Sequence, residues 1–221
     1  MPFRINHHSQ INIICIWYNT EGLKNSTTCL KWSWWRWWWY YEFIVYTLRL
    51  NWWCTGNCFP LLIQQHINGS DVFNRSWEEY KAGFNDTAGN FWVGNELLHQ
   101  LTKNGRYKLR FDLRSSSVSN SWYWVEYGRF EILSEANKYL MHVGFYSGRW
   151  TDALLSHNGA MFSTYDSDND SEPTKNCAVK IGGGFWWNNY CHSTPLGSGG
   201  DFRWSVSPLT LSRMWLTCWS F

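Results

Sequence analysis

The stretch HNGAMFSTYDSDND, His157 to Asp170, sets three aspartates at alternate positions: Asp166, Asp168 and Asp170. Like charges held this close repel one another, and taking them out of water costs more still. Alternating carboxylates suit a hard, oxygen-seeking cation, and calcium accepts about six to eight oxygens in flexible geometry. An EF-hand loop starting at Asp166 needs Gly at its sixth place and Glu at its twelfth; Ser171 and Cys177 stand there, so that motif is excluded. Taken alone, the stretch is more simply a solvated acidic turn, because Asp and Asn cap turns readily.

Outward from this loop, the chain after Ser156 is mostly turn residues, which bury little apolar surface and call for a staple or a metal. Upstream the pattern is more regular. SWEEYKAGF carries Trp77, Tyr80 and Phe84 at helical spacing, with Ser76 and Glu79 placed as a capping box and Gly83 as a stop. NELLHQLT, Asn95 to Thr102, repeats the helical pattern with Leu97, Leu98 and Leu101 on one side. In YKLRFDL, Tyr107, Leu109, Phe111 and Leu113 alternate with Lys108, Arg110 and Asp112, as in a strand with one solvated face. SWYWVEYGRFEIL predicts a strand broken at Gly128, and YLMHVGFYSG a further strand and turn. Short helices among antiparallel-type strands and long loops give an α+β class.

A chain of 221 residues holds one large domain or two small ones and can bury a sizeable core. A net charge of +2 with 16% charged residues leaves no electrostatic footprint for nucleic acid. Aromatic content is high, at 19 Trp, 12 Tyr and 13 Phe. Seven cysteines (15, 29, 54, 58, 177, 191 and 218) accompany five Asn-x-Ser/Thr sequons at Asn25, Asn68, Asn74, Asn85 and Asn169. Together these favour a secreted glycoprotein whose cysteines pair, with at least one left over. INIICIW is too short for a clean signal peptide, and Arg36 and Glu42 interrupt WWRWWWYYEFIVYTLRL before about 18 apolar residues accumulate, which argues against membrane insertion. The Trp clusters of residues 1–60 follow neither a helical nor a strand period, and CTGNC lacks the second pair a zinc site needs.

NGSDVFNRSWEEYKAGF, NFWVGNELLHQLT, LRFDL, YLMHVGFYSGRWTDALLSHNGAMFSTYDSDND and NCAVKIGGGFWWNNYCH resemble, in order, the hallmark blocks of the fibrinogen C-terminal domain family. That family includes fibrinogen chains, ficolins, tachylectins, angiopoietins and tenascins. The resemblance covers about residues 61 to 192 and implies a central antiparallel sheet, short helices and a loop-rich lobe with calcium and ligand sites. It implies Asp168 and Asp170 as side-chain ligands of Ca2+, backbone carbonyls near Glu172 and Thr174 completing the shell, and Asp166 orienting the loop from behind. It implies a Cys177–Cys191 disulfide and an acetyl-binding pocket at Tyr190, Cys191 and His192 with Trp187 nearby, a cis peptide bond preceding Cys191. Asn68, Asn74 and Asn85 are the candidate glycosylation sites. Lectin members carry an aromatic where this chain has Ile181, and PLGSGGDFRW lacks the Tyr of the pocket's far wall. Trp186 and Trp187 are either replacements for those rings or core residues.

The expected layout is a Trp-rich segment over 1–60, an incomplete domain over 61–205 and a divergent tail over 206–221. Both ends depart from the family pattern, and mispredicted exons or out-of-frame text would explain them; a full-length transcript reproducing them unchanged would refute that. A chain missing its first lobe and last strand would not fold stably. No nucleophile elbow, HExxH or phosphate loop accompanies His142, His157 and His192, so catalysis is not expected. The function expected is a calcium-dependent secreted lectin for acetylated carbohydrates of innate-immune type, acting as a homo-oligomer through avidity although no collagen-like or heptad segment is present. The alternative is a module that binds a cell-surface receptor or matrix protein, of angiopoietin or tenascin type.

Overall fold

The computed structural model describes residues 60–67, 71–116, 121–188, 191 and 203–218. In chain order the elements are β1 (Leu61–Ile67), α1 (Trp77–Ala82), β2 (Phe84–Asn85), β3 (Phe91–Trp92), α2 (Asn95–Thr102), β4 (Tyr107–Ser115), β5 (Trp122–Ile132), β6 (Met141–Gly148), α3 (Cys177–Ile181), β7 (Arg203–Trp204) and β8 (Ser207–Cys218). The strands form one antiparallel sheet in the order β2-β3-β1-β8-β4-β5-β6, with β7 beside β8. The class is α+β.

Local chemistry sets the helices. The Ser76 hydroxyl accepts from the Glu79 amide while the Glu79 carboxylate accepts from the Ser76 amide, and α1 ends at Gly83. Each half of that capping box satisfies a donor a helix start would otherwise leave unpaired. Helix α2 covers the Asn95–Thr102 span expected from periodicity, with Leu98 buried and Leu97 and Leu101 half-buried.

Strand β4 turns Leu109, Phe111 and Leu113 into the core, as alternation predicts. Strand β5 runs through Gly128 instead of breaking there. The burial pattern does change phase at that point: Val125 and Tyr127 are buried before it, Phe130 and Ile132 after it. The partner strand carries a matching irregularity, Phe145 at φ 58°, so the β5–β6 register is the same on both sides.

The largest departure from the sequence reading is β8. Residues 206–221 were expected to be a divergent tail outside a domain ending at 205. Instead a strand of 12 residues lies between β1 and β4, with Leu216 opposite both Leu61 and Leu109. Two features conceal its period. The core face includes a serine, Ser212, whose hydroxyl reaches the buried Gln64 side chain, and a register shift separates Leu209 from Leu211. Beyond them Met214 and Leu216 alternate normally with Arg213, Trp215 and Thr217.

The core is built on rings. Phe162 packs against Tyr80 and Trp186 at 5.0 Å and against Trp92 and Trp77 at 6.2 and 6.3 Å. Such pairs add about 0.5–1.5 kcal/mol each beyond area burial. Phe162 thereby joins α1 and β3 to the segment following β6. Residues 1–59 lie outside the described residues, as do the Trp clusters, CTGNC and four of the seven cysteines within them. Among the described residues no helix is long and apolar enough to cross a membrane.

Candidate functional site

The chain leaves β6 and forms a lobe with little regular structure, which is held by side chains. His157 is fully buried, its Nδ1 donates to the Trp186 carbonyl at 2.7 Å, and its ring meets Phe185 edge-on at 5.3 Å. Burial penalises the imidazolium and lowers the pKa from 6.5 to about 4. The folded state therefore keeps His157 neutral while the unfolded chain takes up the proton first. This stability is complete above about pH 6.5 and is lost as pH falls toward 4. Between pH 7.5 and pH 5 the expected loss through this group is about 2 kcal/mol. Denaturant melts of His157→Gln, which keeps a donor for the carbonyl, should show a correspondingly flatter pH slope; an unchanged slope contradicts this account.

The acidic loop is tied to the domain by Asp166, whose Oδ1 accepts from the Trp77 amide at 2.9 Å and the Thr164 hydroxyl at 2.7 Å. A carboxylate at the first residue of α1 also suits the helix dipole. Asn169 ties the loop from within: its Nδ2 donates to the Phe162 and Ser167 carbonyls and to the Ser167 hydroxyl, and its amide donates to the Ser163 hydroxyl.

Asp170 is the joint between this loop and the disulfide. Its Oδ1 accepts from the Glu172 amide and its Oδ2 from the Cys177 amide, each at 2.8 Å. Burial raises the Asp170 pKa, the two amide donors oppose that shift, and the neighbouring Asp168 charge adds to it. Asp168 is exposed; its carboxylate accepts from the Asp170 amide at 3.3 Å and lies beside the Asp170 carboxyl. The Glu172 carboxylate turns onto Thr174, accepting from its hydroxyl at 2.5 Å and its amide at 3.2 Å; the hydroxyl bond leads in lowering the Glu172 pKa.

Helix α3 starts from Asn176, whose Oδ1 accepts from the Val179 amide while its Nδ2 donates to the Thr164 carbonyl. It ends at Gly182, at φ 90°. Cys177 and Cys191 form a disulfide with Cα atoms 5.2 Å apart, and a bridge over a loop this short adds about 3 kcal/mol in the chain-entropy model. The loop meets the domain at Gly184, whose amide donates to the Tyr80 hydroxyl at 3.1 Å. That hydroxyl in turn donates to the Phe73 carbonyl at 2.7 Å.

The structure brings Asp168, Asp170, Glu172, Thr174 and the disulfide into one continuous lobe. Trp187, expected beside a ligand, is instead 1% exposed, with its indole nitrogen donating to the Gly183 carbonyl. A Trp face is worth more in a dry core than on a surface when its N–H finds a partner. Cys191 sits at φ 49° and its amide donates to the Asn188 carbonyl at 3.3 Å. Tyr190, His192 and the expected cis bond before Cys191 lie outside the described residues, as does Asn68. Asn74 and Asn85 are exposed. Sequence reasoning missed Asn169 and Asn176 as organisers. Asn176 was findable, because an Asn immediately before a short helical run is a standard N-cap.

Among the described residues no three His, Cys, Asp or Glu side chains gather as a metal cluster. A cation here would depend on two carboxylates and turn carbonyls. These hard oxygens fit a calcium-class ion, and burial of Asp170 already disfavours an uncompensated negative charge. Two apolar side chains flank this loop: Tyr165, 47% exposed, and Val179, 62% exposed, each linked through Asn176.

Residues 51–215 match the family model described as fibrinogen beta and gamma chains, C-terminal globular domain. Tenascin from Gallus gallus is 42% identical over 135 residues, 61% of this chain and 7% of tenascin. Ficolin-3 from Homo sapiens is 39% identical over 137 residues, 62% of this chain and 44% of ficolin-3. The chain thus spans less than half the length of either relative. Among solved structures, the fibrinogen-like globe domain of human ANGPTL2 aligns at a TM-score of 0.65 with 31% identity, covering 75% of this chain and 82% of that one. Lamprey fibrin D-dimer, complexed with the peptide ligand Gly-His-Arg-Pro-amide, aligns at 0.63 with 28% identity, covering 72% and 61%.

Proposed function

The chain belongs to the fibrinogen C-terminal domain family, and from that premise we propose that it acts outside the cell as a non-catalytic recognition module whose contact lobe is ordered by calcium. The observation that carries this reading is the double role of Asp170, which accepts from the amides of both Glu172 and Cys177. Any ion held by Asp168 and Asp170, with carbonyls near Glu172 and Thr174, would act directly on the backbone that enters the disulfide loop. When bound, the ion supplies the positive charge that two adjacent carboxylates lack. The chain's own residues do the rest: Asp166 and Asn176 hold the loop to α1 and α3, and His157 and Tyr80 fix the far side of the disulfide loop.

The ligand assigned to this lobe is an acetylated carbohydrate, recognised around Tyr190, Cys191 and His192. A similarity to ficolin-3 and the retained Cys-His pair support that class. The test is retention on an acetylated resin in calcium, with release by N-acetylglucosamine or by chelator. Flow-through in the presence of calcium sinks the carbohydrate assignment.

Specific observations favour a second reading, a protein or peptide ligand. Trp187 is buried, the Cys191 amide is engaged internally, and exposed Tyr165 and Val179 flank the loop. Lamprey fibrin D-dimer, a structural relative, was solved with a peptide ligand. On that reading the resin retains nothing, while Val179→Glu abolishes calcium-dependent capture by an extracellular partner and leaves the melting temperature unchanged.

A further inference from the structure

Among the described residues three sequons, at Asn74, Asn85 and Asn169, are not equivalent once the chain is folded, and we infer that Asn74 and Asn85 carry N-linked glycans whereas Asn169 carries none in the native protein. The inference rests on the extracellular reading above, because the modification belongs to the secretory route.

Asn74 is exposed, and its neighbours do the structural work of its turn. The Arg75 amide donates to the Phe73 carbonyl at 3.0 Å and the Arg75 Nε to the Val72 carbonyl at 2.9 Å. A glycan at Asn74 therefore leaves the bonds leading into α1 intact. Asn85 is exposed on β2, the two-residue strand at one edge of the sheet. An open sheet edge is a template for pairing with other chains, and a bulky hydrated group there blocks it.

Asn169 differs in kind. Its Nδ2 donates to the Phe162 carbonyl at 3.0 Å, the Ser167 carbonyl at 3.3 Å and the Ser167 hydroxyl at 3.1 Å, and the residue is half-buried. In the modification Nδ2 forms a bond to C1 of the first N-acetylglucosamine of a polyprenyl-diphosphate-linked oligosaccharide. The C1–oxygen bond breaks, the polyprenyl diphosphate leaves with the electron pair, and one amide proton is lost to a base. The product keeps a single N–H, too few for the Phe162 and Ser167 contacts, and places a sugar where the loop packs. Glycosylation at Asn169 and the native arrangement of Asp168 and Asp170 are mutually exclusive.

The experiment expresses the full chain in a eukaryotic secretory host, with its own N-terminus and with an added secretory leader, and with Asn25 and Asn68 replaced by Gln in both. Secreted protein is treated with N-glycanase in heavy-oxygen water and its peptides are weighed. Near-complete conversion is expected at Asn74 and Asn85 and none at Asn169; Asn74→Gln and Asn85→Gln should each remove one glycan step. Glycans on Asn169 confined to retained, unsecreted material support the exclusion. Unmodified Asn74 or Asn85 in secreted protein overturns the assignment at that site, and a glycan on Asn169 in secreted protein overturns the exclusion. The glycan pattern is read on the leader-bearing chain whether or not the chain with its own N-terminus is secreted, so it stands or falls separately from the recognition reading, which the acetylated-resin test decides.

Discussion

Gly184→Ala should lower the unfolding free energy by about 3 kcal/mol, the upper end of what overpacking a core costs. A Cβ built on Gly184 stands 2.5 Å from the Tyr80 Cε2 and 2.8 Å from its Cζ. The ring has little room to withdraw. It is 1% exposed and packs against Phe84 and Phe162 at 5.0 Å and Trp92 at 5.8 Å. Its hydroxyl is fixed between the Phe73 carbonyl and the Gly184 amide, so any retreat also strains two hydrogen bonds. At about 2–4 °C per kcal/mol for a domain of this size, the melting temperature should drop by roughly 9 °C. Gly182→Ala is the internal comparison. Nothing lies within 4 Å of its Cβ, and only its φ of 90° opposes a side chain, so about 1–2 kcal/mol is expected. Thermal melts in which the two variants lose equal stability would contradict the close approach of the disulfide loop to α1.

Asp170→Asn and Asp168→Asn should separate the two jobs of the acidic loop. An amide at 170 can accept from only one of the Glu172 and Cys177 amides, and its NH2 faces the other donor. Losing a bond to a charged acceptor costs about 1.5–3 kcal/mol. Asp170→Asn should therefore be destabilised by about 2–3 kcal/mol in chelator, and more in calcium. Asp168 is exposed, its backbone bond is long and its carboxylate repels that of Asp170, so Asp168→Asn should melt within about 0.5 kcal/mol of wild type in chelator. It should nevertheless forfeit the stabilisation that calcium gives the wild type, because ligand binding to the folded state raises stability by mass action. Differential scanning calorimetry with and without calcium checks both. Equal responses of the two variants in chelator would remove the structural role assigned to Asp170.

The helices and the first long strand were legible because their signals are local. The capping box at Ser76 and Glu79 and the alternation of Leu109, Phe111 and Leu113 each need only a few residues to be recognised. Strand β8 was not legible. Its core face contains Ser212, its register shifts near Leu209, and its partners Gln64 and Leu109 lie more than a hundred residues upstream. The same distinction runs through the site. The aspartates announce themselves by their spacing, but the division of labour among them comes from tertiary contacts. Asp166, though exposed, accepts from the Trp77 amide, Asp170 accepts from the Cys177 amide, and Asp168 is left with the loosest hold on the backbone. Trp187 shows the limit of composition: the sequence offers two adjacent indoles, and only packing decides that both are core.

Amide hydrogen exchange across residues 164–188 of the disulfide-intact protein, in calcium and again in excess chelator, addresses the ordering of the lobe most directly. Slow exchange in calcium at the Glu172 and Cys177 amides, becoming at least about tenfold faster in chelator and insensitive to calcium in Asp168→Asn, is the predicted result. Identical protection in both conditions would mean that the lobe is fixed by its disulfide and rings alone and that no cation orders it.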